Sequence, residues 1–508
     1  MVAVGLARLA ALANLLPLCS LASNASTGTC EAGEECPSDF DSLLQLGLRV
    51  ERPAPAPALL ESRSYYRQRL HNSGDVQYTG DLTLGGQRLR GILDTGSFEI
   101  LAFAKSCGTC GMAAKYDAGE SPTFIPGRLI TTHSFGSGTC GCSDGSDALT
   151  LGPFVVERQD FWEVVKAQMP ILATATFNAI IGLSPPGQPQ LAVMDLLNGN
   201  SEDRTIADIV LQKNDSLVKN LGIRYFSACF EWAEGGPGYV IWNDKPPKDQ
   251  QVHFRELEVS STIYWKTRLG NPHLRVPEFR EADKSISLGC PLGCDALLDT
   301  GTSLIAVPQA TYDVVLRELN KLNRDCARLG EMPDLAFSLG GHTYSLPPQS
   351  YIGIIEGAIP DGFRAELPPI SASEDIIACQ LLLMITGSLG EELWILGMPF
   401  FRYYYTTFDL GEHPYRPDGR RIWTAPASPD CHPSNDSSHE ATLSLARRQR
   451  PWRINGPMIR PPRHASQAEV RADLLNLHNF TERMKLLAPQ SVSGVIKPDV
   501  RMRHRGES

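Results

Sequence analysis

Past its first two dozen residues the sequence has no apolar run of 18 residues free of charge, so no second membrane span is expected. Basic charge is not in excess either. Its 47 Lys and Arg face 57 Asp and Glu, a formal net of -10, which argues against a nucleic-acid partner. Segments with helical periodicity are few, at 191–197, 203–220 and 309–321, so a helical bundle is a poor reading. The pairs Cys107-x-x-Cys110 and Cys140-x-Cys142 have no His or acidic residues arranged around them as a zinc knuckle would need. Disulfides are the better reading: two bridges among these four, in an order that sequence does not settle. No motif calls for a cofactor or a metal.

What is present points to a secretory chain rich in strands. The N-terminus reads MVAVGLARLAALANLLPLCSLAS, with an early Arg8, an apolar stretch and then small residues. Residues 1–23 are read as a signal peptide, with an uncleaved signal-anchor as the alternative. Removing Cys19 with that segment leaves 12 of the 13 cysteines, an even number suited to an oxidising compartment. Glycosylation sequons stand at Asn24, Asn214, Asn435 and Asn479.

At roughly 150 residues per domain, 508 residues suggest about three domains or a two-lobed body with extensions. Residues 24–75 are polar, with a Pro-Ala patch and the basic residues Arg63, Arg67, Arg69 and His71. They read as a linker or a removable pro-segment. From residue 76 short alternating segments separated by Gly-rich turns continue to 426, which predicts a predominantly β body. Residues 427–508 read as a basic, mostly disordered tail, apart from an amphipathic helix candidate at 471–488. Residues 432–508 carry 13 Lys or Arg against 7 Asp or Glu, while the other 431 residues have a net charge of -16. An acidic body therefore carries a basic tail.

One pattern occurs twice within the body: GILDTGSF at 91–98 and ALLDTGTS at 296–303, with Asp94 and Asp299 205 residues apart. A second element also repeats. Two apolar residues and a glycine end at Gly182, 88 residues after Asp94, and at Gly397, 98 residues after Asp299. Four correlated motifs in this order suggest a duplicated domain and outweigh the possibility of two ordinary Asp-Gly turns.

With these motifs the sequence resembles the pepsin-like aspartic proteases over about residues 76–426. The resemblance also includes HSFGSG at 133–138, AIIGLS at 179–184, DTGTSLIAVP at 299–308 and WILGMPFFRYYYTTFD at 394–409. It implies an all-β, bilobal fold in which two related β-barrel-like lobes flank a cleft. The N-terminal lobe would span 76–190, and the remaining peptidase, with the C-terminal lobe, 191–426. It further implies a single-chain, monomeric endopeptidase and a Cys326–Cys379 disulfide.

Implied chemistry centres on Asp94 and Asp299. Two carboxylates a few ångströms apart do not easily both ionise, so they share a proton and titrate as a pair. The ionised member would activate water and the protonated member would hydrogen-bond the peptide carbonyl. In this pattern Thr95 and Thr300 lock the two loops together. Gly96 and Gly301 donate backbone N–H groups to the carboxylates, and Ser97 and Thr302 stand beside them.

The sequence departs from the family at the flap. Phe135 precedes Gly136-Ser137-Gly138 where Tyr is usual, and Leu101 stands where that Tyr would find a Trp. Losing both partners of a hydrogen bond can be nearly neutral, so the dyad is expected to survive with an altered specificity pocket or a slower rate. Phe98 replaces the usual Ser after the first motif. Together with Ile100, Ile180 and Ile181, it is expected to give apolar walls suited to extended protein or peptide substrates with bulky apolar residues. The basic arm before residue 76 would hold the dyad region at neutral pH and release it in acid. The expected compartment is the secretory pathway, leading outside the cell or to an acidic, lysosome-like vacuole. The rival reading is a catalytically inactive relative that binds peptides or inhibitors in the same cleft.

Overall fold

The computed structural model describes residues 65–186, 208–210, 212–213, 216–246, 252–275, 285–358, 379–386, 393–412, 419–461 and 484–486. The signal peptide, most of the 24–75 segment, the helix candidate at 191–197, and Asn24, Asn214 and Asn479 lie outside these residues.

Strands dominate, as the alternating texture predicts. A 14-strand sheet runs from Arg255–Glu258 at one edge to Met484–Leu486 at the other. An eight-strand sheet lies in the second half of the chain, and a three-strand sheet joins Gln380–Leu381, Ile352–Glu356 and Trp452–Asn455. Within the 14-strand sheet Gln77–Leu84 also pairs with Gly138–Leu151, through Thr83 with Thr150 and Leu84 with Leu149.

The repeated motifs occupy equivalent places in the two large sheets. In the first half, Gln87–Asp94 pairs in parallel with Ala179–Gly182, which pairs antiparallel with Ile100–Phe103. In the second half, Cys294–Leu298 pairs in parallel with Leu393–Leu396, which pairs antiparallel with Ile305–Val307. The short strands Ile100–Phe103, Ala179–Gly182, Ile305–Val307 and Leu393–Leu396 are buried along their whole length. Their unbroken apolar runs suit strands covered on both faces. A side chain could not replace the glycine that ends either motif. A Cβ on Gly182 would lie 2.2 Å from the Phe98 carbonyl carbon, and one on Gly397 would lie 2.0 Å from the Leu304 oxygen.

The helix Gln309–Lys321 coincides with the periodic segment and buries Thr311, Tyr312, Val315 and Leu319, spaced along one face. In the 203–220 candidate only 208–210 and Leu217–Asn220 are helical among the described residues. Within the 471–488 candidate, Met484–Leu486 is a strand paired with Leu129–Thr131 and not a helix.

The extensions need correction at both ends. The presumed linker contributes the strand Tyr66–Ser73, which pairs with Gly238–Trp242 and with Gln77–Leu84. The presumed disordered tail is structured over residues 427–461. It holds the helix Asp436–Ala446, the strand Trp452–Asn455 and a 3-10 turn at Gly456–Met458. Tertiary partners give this segment the burial its composition alone does not promise. A Cys229–Cys431 disulfide ties it to the body, His439 approaches the Tyr404 hydroxyl at 3.1 Å, and Arg447 grips the buried Asp334 with two nitrogens.

Candidate active site

Each Asp-Thr-Gly turn follows a parallel strand, and the two turns meet back to back. The Thr95 N–H donates to Thr300 Oγ1 at 3.1 Å, and the Thr300 N–H donates to Thr95 Oγ1 at 3.0 Å. Each hydroxyl also donates across the junction, Thr95 to the Leu298 carbonyl at 2.8 Å and Thr300 to the Leu93 carbonyl at 2.7 Å. Four buried hydrogen bonds thus hold two loops that are 205 residues apart in the chain. Satisfying these polar groups inside the protein makes the junction specific, because leaving any one unpaired is costly.

The carboxylates take backbone donors from their own turns. The Gly96 N–H reaches Asp94 Oδ1 at 2.9 Å and the Gly301 N–H reaches Asp299 Oδ1 at 2.8 Å. The glycines also let the carboxylates come together. A Cβ on Gly96 would fall 2.5 Å from Asp299 Cγ, and one on Gly301 would fall 2.2 Å from Asp94 Oδ1. Each aspartate therefore packs on the glycine of the opposite turn, and both are buried.

The outer partners differ. The Thr302 hydroxyl donates to Asp299 Oδ2 at 2.5 Å. Ser97 does not match it, because its buried hydroxyl makes no hydrogen bond among the described residues. Asp94 Oδ2 is approached instead by Arg460 Nη2 at 3.5 Å, from the C-terminal segment. Burial, then the charge of Asp94, push the Asp299 carboxyl up to about 7, against the lowering effect of Thr302 and the Gly301 N–H. A proton is thus retained between two carboxylates well above the ordinary carboxylate range.

This reciprocal geometry agrees with comparisons to known proteins. The family model described as eukaryotic aspartyl protease matches residues 77–415. The chain belongs to that family. It is an aspartic-type endopeptidase of the pepsin-like kind. A cathepsin D of Clupea harengus is 25% identical over 358 residues, covering 67% of this chain and 80% of its own. A renin of Rattus norvegicus is 25% identical over 358 residues, with 67% and 78% covered. A renin of Echis ocellatus is 26% identical over 397 residues, with 74% and 90% covered.

Other residues singled out in the sequence lie around this peptidase core. Ile125–Phe135 and Gly138–Leu151 form a hairpin in which Phe135 pairs with Gly138 and Gly136-Ser137 makes the turn. Phe135 and Leu101 share one apolar cluster with Trp162, Met169 and Phe177. Leu101 is fully buried and pairs with Ile180 and Trp162 in mid-sheet. Ile100, Ile180 and Ile181 are likewise buried, in strands covered on both faces, and Phe98 is buried in the loop between Gln87–Asp94 and Ile100–Phe103.

The cysteines divide differently from the expected two bridges. Cys107 and Cys110 are bonded to each other, which removes the zinc alternative for them. Cys140 and Cys142 are free thiols with sulfurs 3.5 Å apart. They are alternate residues of one strand, buried in the same cluster. Cys326–Cys379 and Cys290–Cys294 are bonded.

The basic arm does not reach the dyad through its described residues. The Arg67 guanidinium donates to the Cys431 and Asp430 carbonyls and covers the Tyr239 ring, while His71 faces Asp81. Arg460 was not predicted as a site residue. The only local signal was the apolar-polar alternation of Trp452-Arg453-Ile454-Asn455, four residues inside a basic stretch.

Proposed function

We propose that Asp94 and Asp299 are the catalytic dyad and that the duplicated halves are two β-barrel-like lobes with the dyad in the cleft between them. The observation that carries this reading is the reciprocal packing of each carboxylate on the opposite glycine. A shared proton leaves one carboxylate ionised to draw a proton from water, while the protonated one hydrogen-bonds the substrate carbonyl. As the tetrahedral intermediate collapses, a proton passes to the leaving nitrogen. We assign the proton to the pair and not to one residue. Thr95 and Thr300 fix the separation of the two turns, and Thr302 orients Asp299.

Working conditions follow from the same chemistry. Activity needs the shared proton, so it belongs on the acid side of neutrality. The substrates are extended protein or peptide segments, with bulky apolar residues favoured beside the cut. One chain carries both Asp-Thr-Gly turns, so no second copy is needed to complete the site. Four disulfides among the described residues and the similarity to cathepsin D and renin support a secretory route, ending outside the cell or in a lysosome-like compartment.

Cleavage of a denatured protein from about pH 3 to pH 7 tests this reading. Wild type is expected to cut internal bonds, with Asp94→Asn and Asp299→Asn each slower by roughly 1,000-fold or more. Cleavage that survives either substitution would refute the dyad. Peptide binding without cleavage at any pH would favour the inactive scaffold.

A further inference from the structure

We propose that residues 452–461 act as a built-in pseudosubstrate that seats Arg460 on the dyad and keeps the full-length chain latent. This rests on the dyad reading above and adds a regulator that the peptidase motifs do not contain.

The segment is held along its whole course. Trp452–Asn455 pairs in parallel with Ile352–Glu356, and the Arg402 guanidinium lies 4.0 Å from the Trp452 ring centroid. Gln77 donates to the Met458 carbonyl at 2.8 Å. At Arg460 the main chain makes a two-way contact with Ser303. The Ser303 N–H donates to the Arg460 carbonyl at 3.0 Å, and the Arg460 N–H donates to Ser303 Oγ at 2.8 Å. The Ser303 hydroxyl in turn donates to the Val76 carbonyl at 2.5 Å. Ser303 directly follows Thr302, the residue bonded to Asp299. Main-chain pairing beside the reacting groups is how an extended peptide is held whatever its side chains, and here the chain's own segment occupies that position.

The seat blocks the dyad and is not optimised as a structural ion pair. Asp94 and Asp299 are only 3% and 2% exposed, and the Arg460 and Asp94 side chains are each 4% exposed. A peptide carbonyl cannot reach the carboxylates until Arg460 leaves. The guanidinium meets Asp94 at 3.5 Å, and its Nη1 makes no hydrogen bond among the described residues. A buried charge with one long contact is poorly compensated and more easily withdrawn than a bidentate pair. The following residues, Pro461 and Pro462, offer no N–H with which to continue a main-chain ladder.

Full-length Arg460→Ala tests the proposal against wild type in two assays. These are the initial rate on a denatured protein and the affinity for a peptide carrying a secondary alcohol in place of the scissile carbonyl. Both are expected to rise at least tenfold and by similar factors, because unseating changes the fraction of open chains and not the chemistry. Trp452→Ala, which leaves the dyad untouched but removes the stack on Arg402, is expected to act in the same direction. Unchanged or lower rate and affinity in both variants would overturn the pseudosubstrate. Asp94→Asn in the Arg460→Ala background separates the two readings. If it abolishes cleavage that Arg460→Ala had not raised, the dyad stands and the pseudosubstrate falls. If it leaves cleavage intact, both fall.

Discussion

The two Asp-Thr-Gly turns share their inner contacts and differ in their outer ones. Inside, each threonine binds the other turn, each glycine N–H binds its own carboxylate, and each carboxylate rests on the opposite glycine. Outside, a hydroxyl stands beside Asp299 and a guanidinium beside Asp94. The shared part is what brings two buried carboxylates together, and a duplicated sequence supplies it twice. The unshared part is where regulation and proton placement can be tuned without disturbing that frame.

The largest expected effect tests the shared part. In Gly96→Ala and Gly301→Ala the new methyl falls within 2.5 Å of the opposing carboxylate. Overpacking at a junction bonded on all sides should cost about 1–3 kcal/mol or more, read as a lower urea midpoint, with activity lost in both variants. If one variant folds and works normally while the other fails, the two turns are not equivalent and the reciprocal frame is wrong.

A smaller effect sharpens the outer difference. The Thr302 hydroxyl stabilises the ionised form of Asp299, so Thr302→Ala should raise that carboxyl further. The alkaline limb of the pH-rate profile then moves to higher pH. Stability carries the same sign. Between the ordinary value of 3.8 and about 7, the folded chain keeps a proton that the unfolded chain has released, so stability falls as pH rises across that window. Asp299→Asn should remove this slope from the pH dependence of the urea midpoint. His439 works in the opposite direction, since burial lowers it to about 4 and stability from it rises with pH up to about 6.5. His439→Gln is therefore the control that separates the two slopes.

The shared part was legible in the sequence and the unshared part was not, for a physical reason. Asp94, Asp299 and their Thr-Gly neighbours belong to local motifs, and repetition of the apolar-Gly elements marked the strands that position them. The helix at Gln309–Lys321 was equally readable, because its burial follows one local period. Arg460 meets Asp94 across 366 residues, in a segment whose average composition is that of a solvated tail. Its order comes from partners such as Arg402, Asp334 and Ser303, which no local pattern connects to it. Leu101 and Phe98 show a different limit: their motif positions are local, but the burial of Leu101 inside the sheet and of Phe98 in the loop after the first turn depends on the whole fold.

Ser97→Ala gives the smallest expected effect and probes the comparison most directly. By position Ser97 is the counterpart of Thr302, yet its buried hydroxyl makes no hydrogen bond among the described residues, while Arg460 stands at Asp94 Oδ2. Removing an unpartnered buried hydroxyl sheds a desolvation penalty, so Ser97→Ala should be neutral or stabilising by up to about 1 kcal/mol, with its cleavage rate unchanged. Thr302→Ala, which breaks a made bond, should cost about 1–2 kcal/mol on the same urea scale. If Arg460 is the source of the asymmetry, withdrawing it frees Asp94 Oδ2 for Ser97. In the Arg460→Ala background, Ser97→Ala should then lower the rate several-fold, as a double-mutant cycle would record. Additive effects in that cycle would mean that the two turns differ by their own sequence, Ser against Thr, and not by the arm seated on one of them.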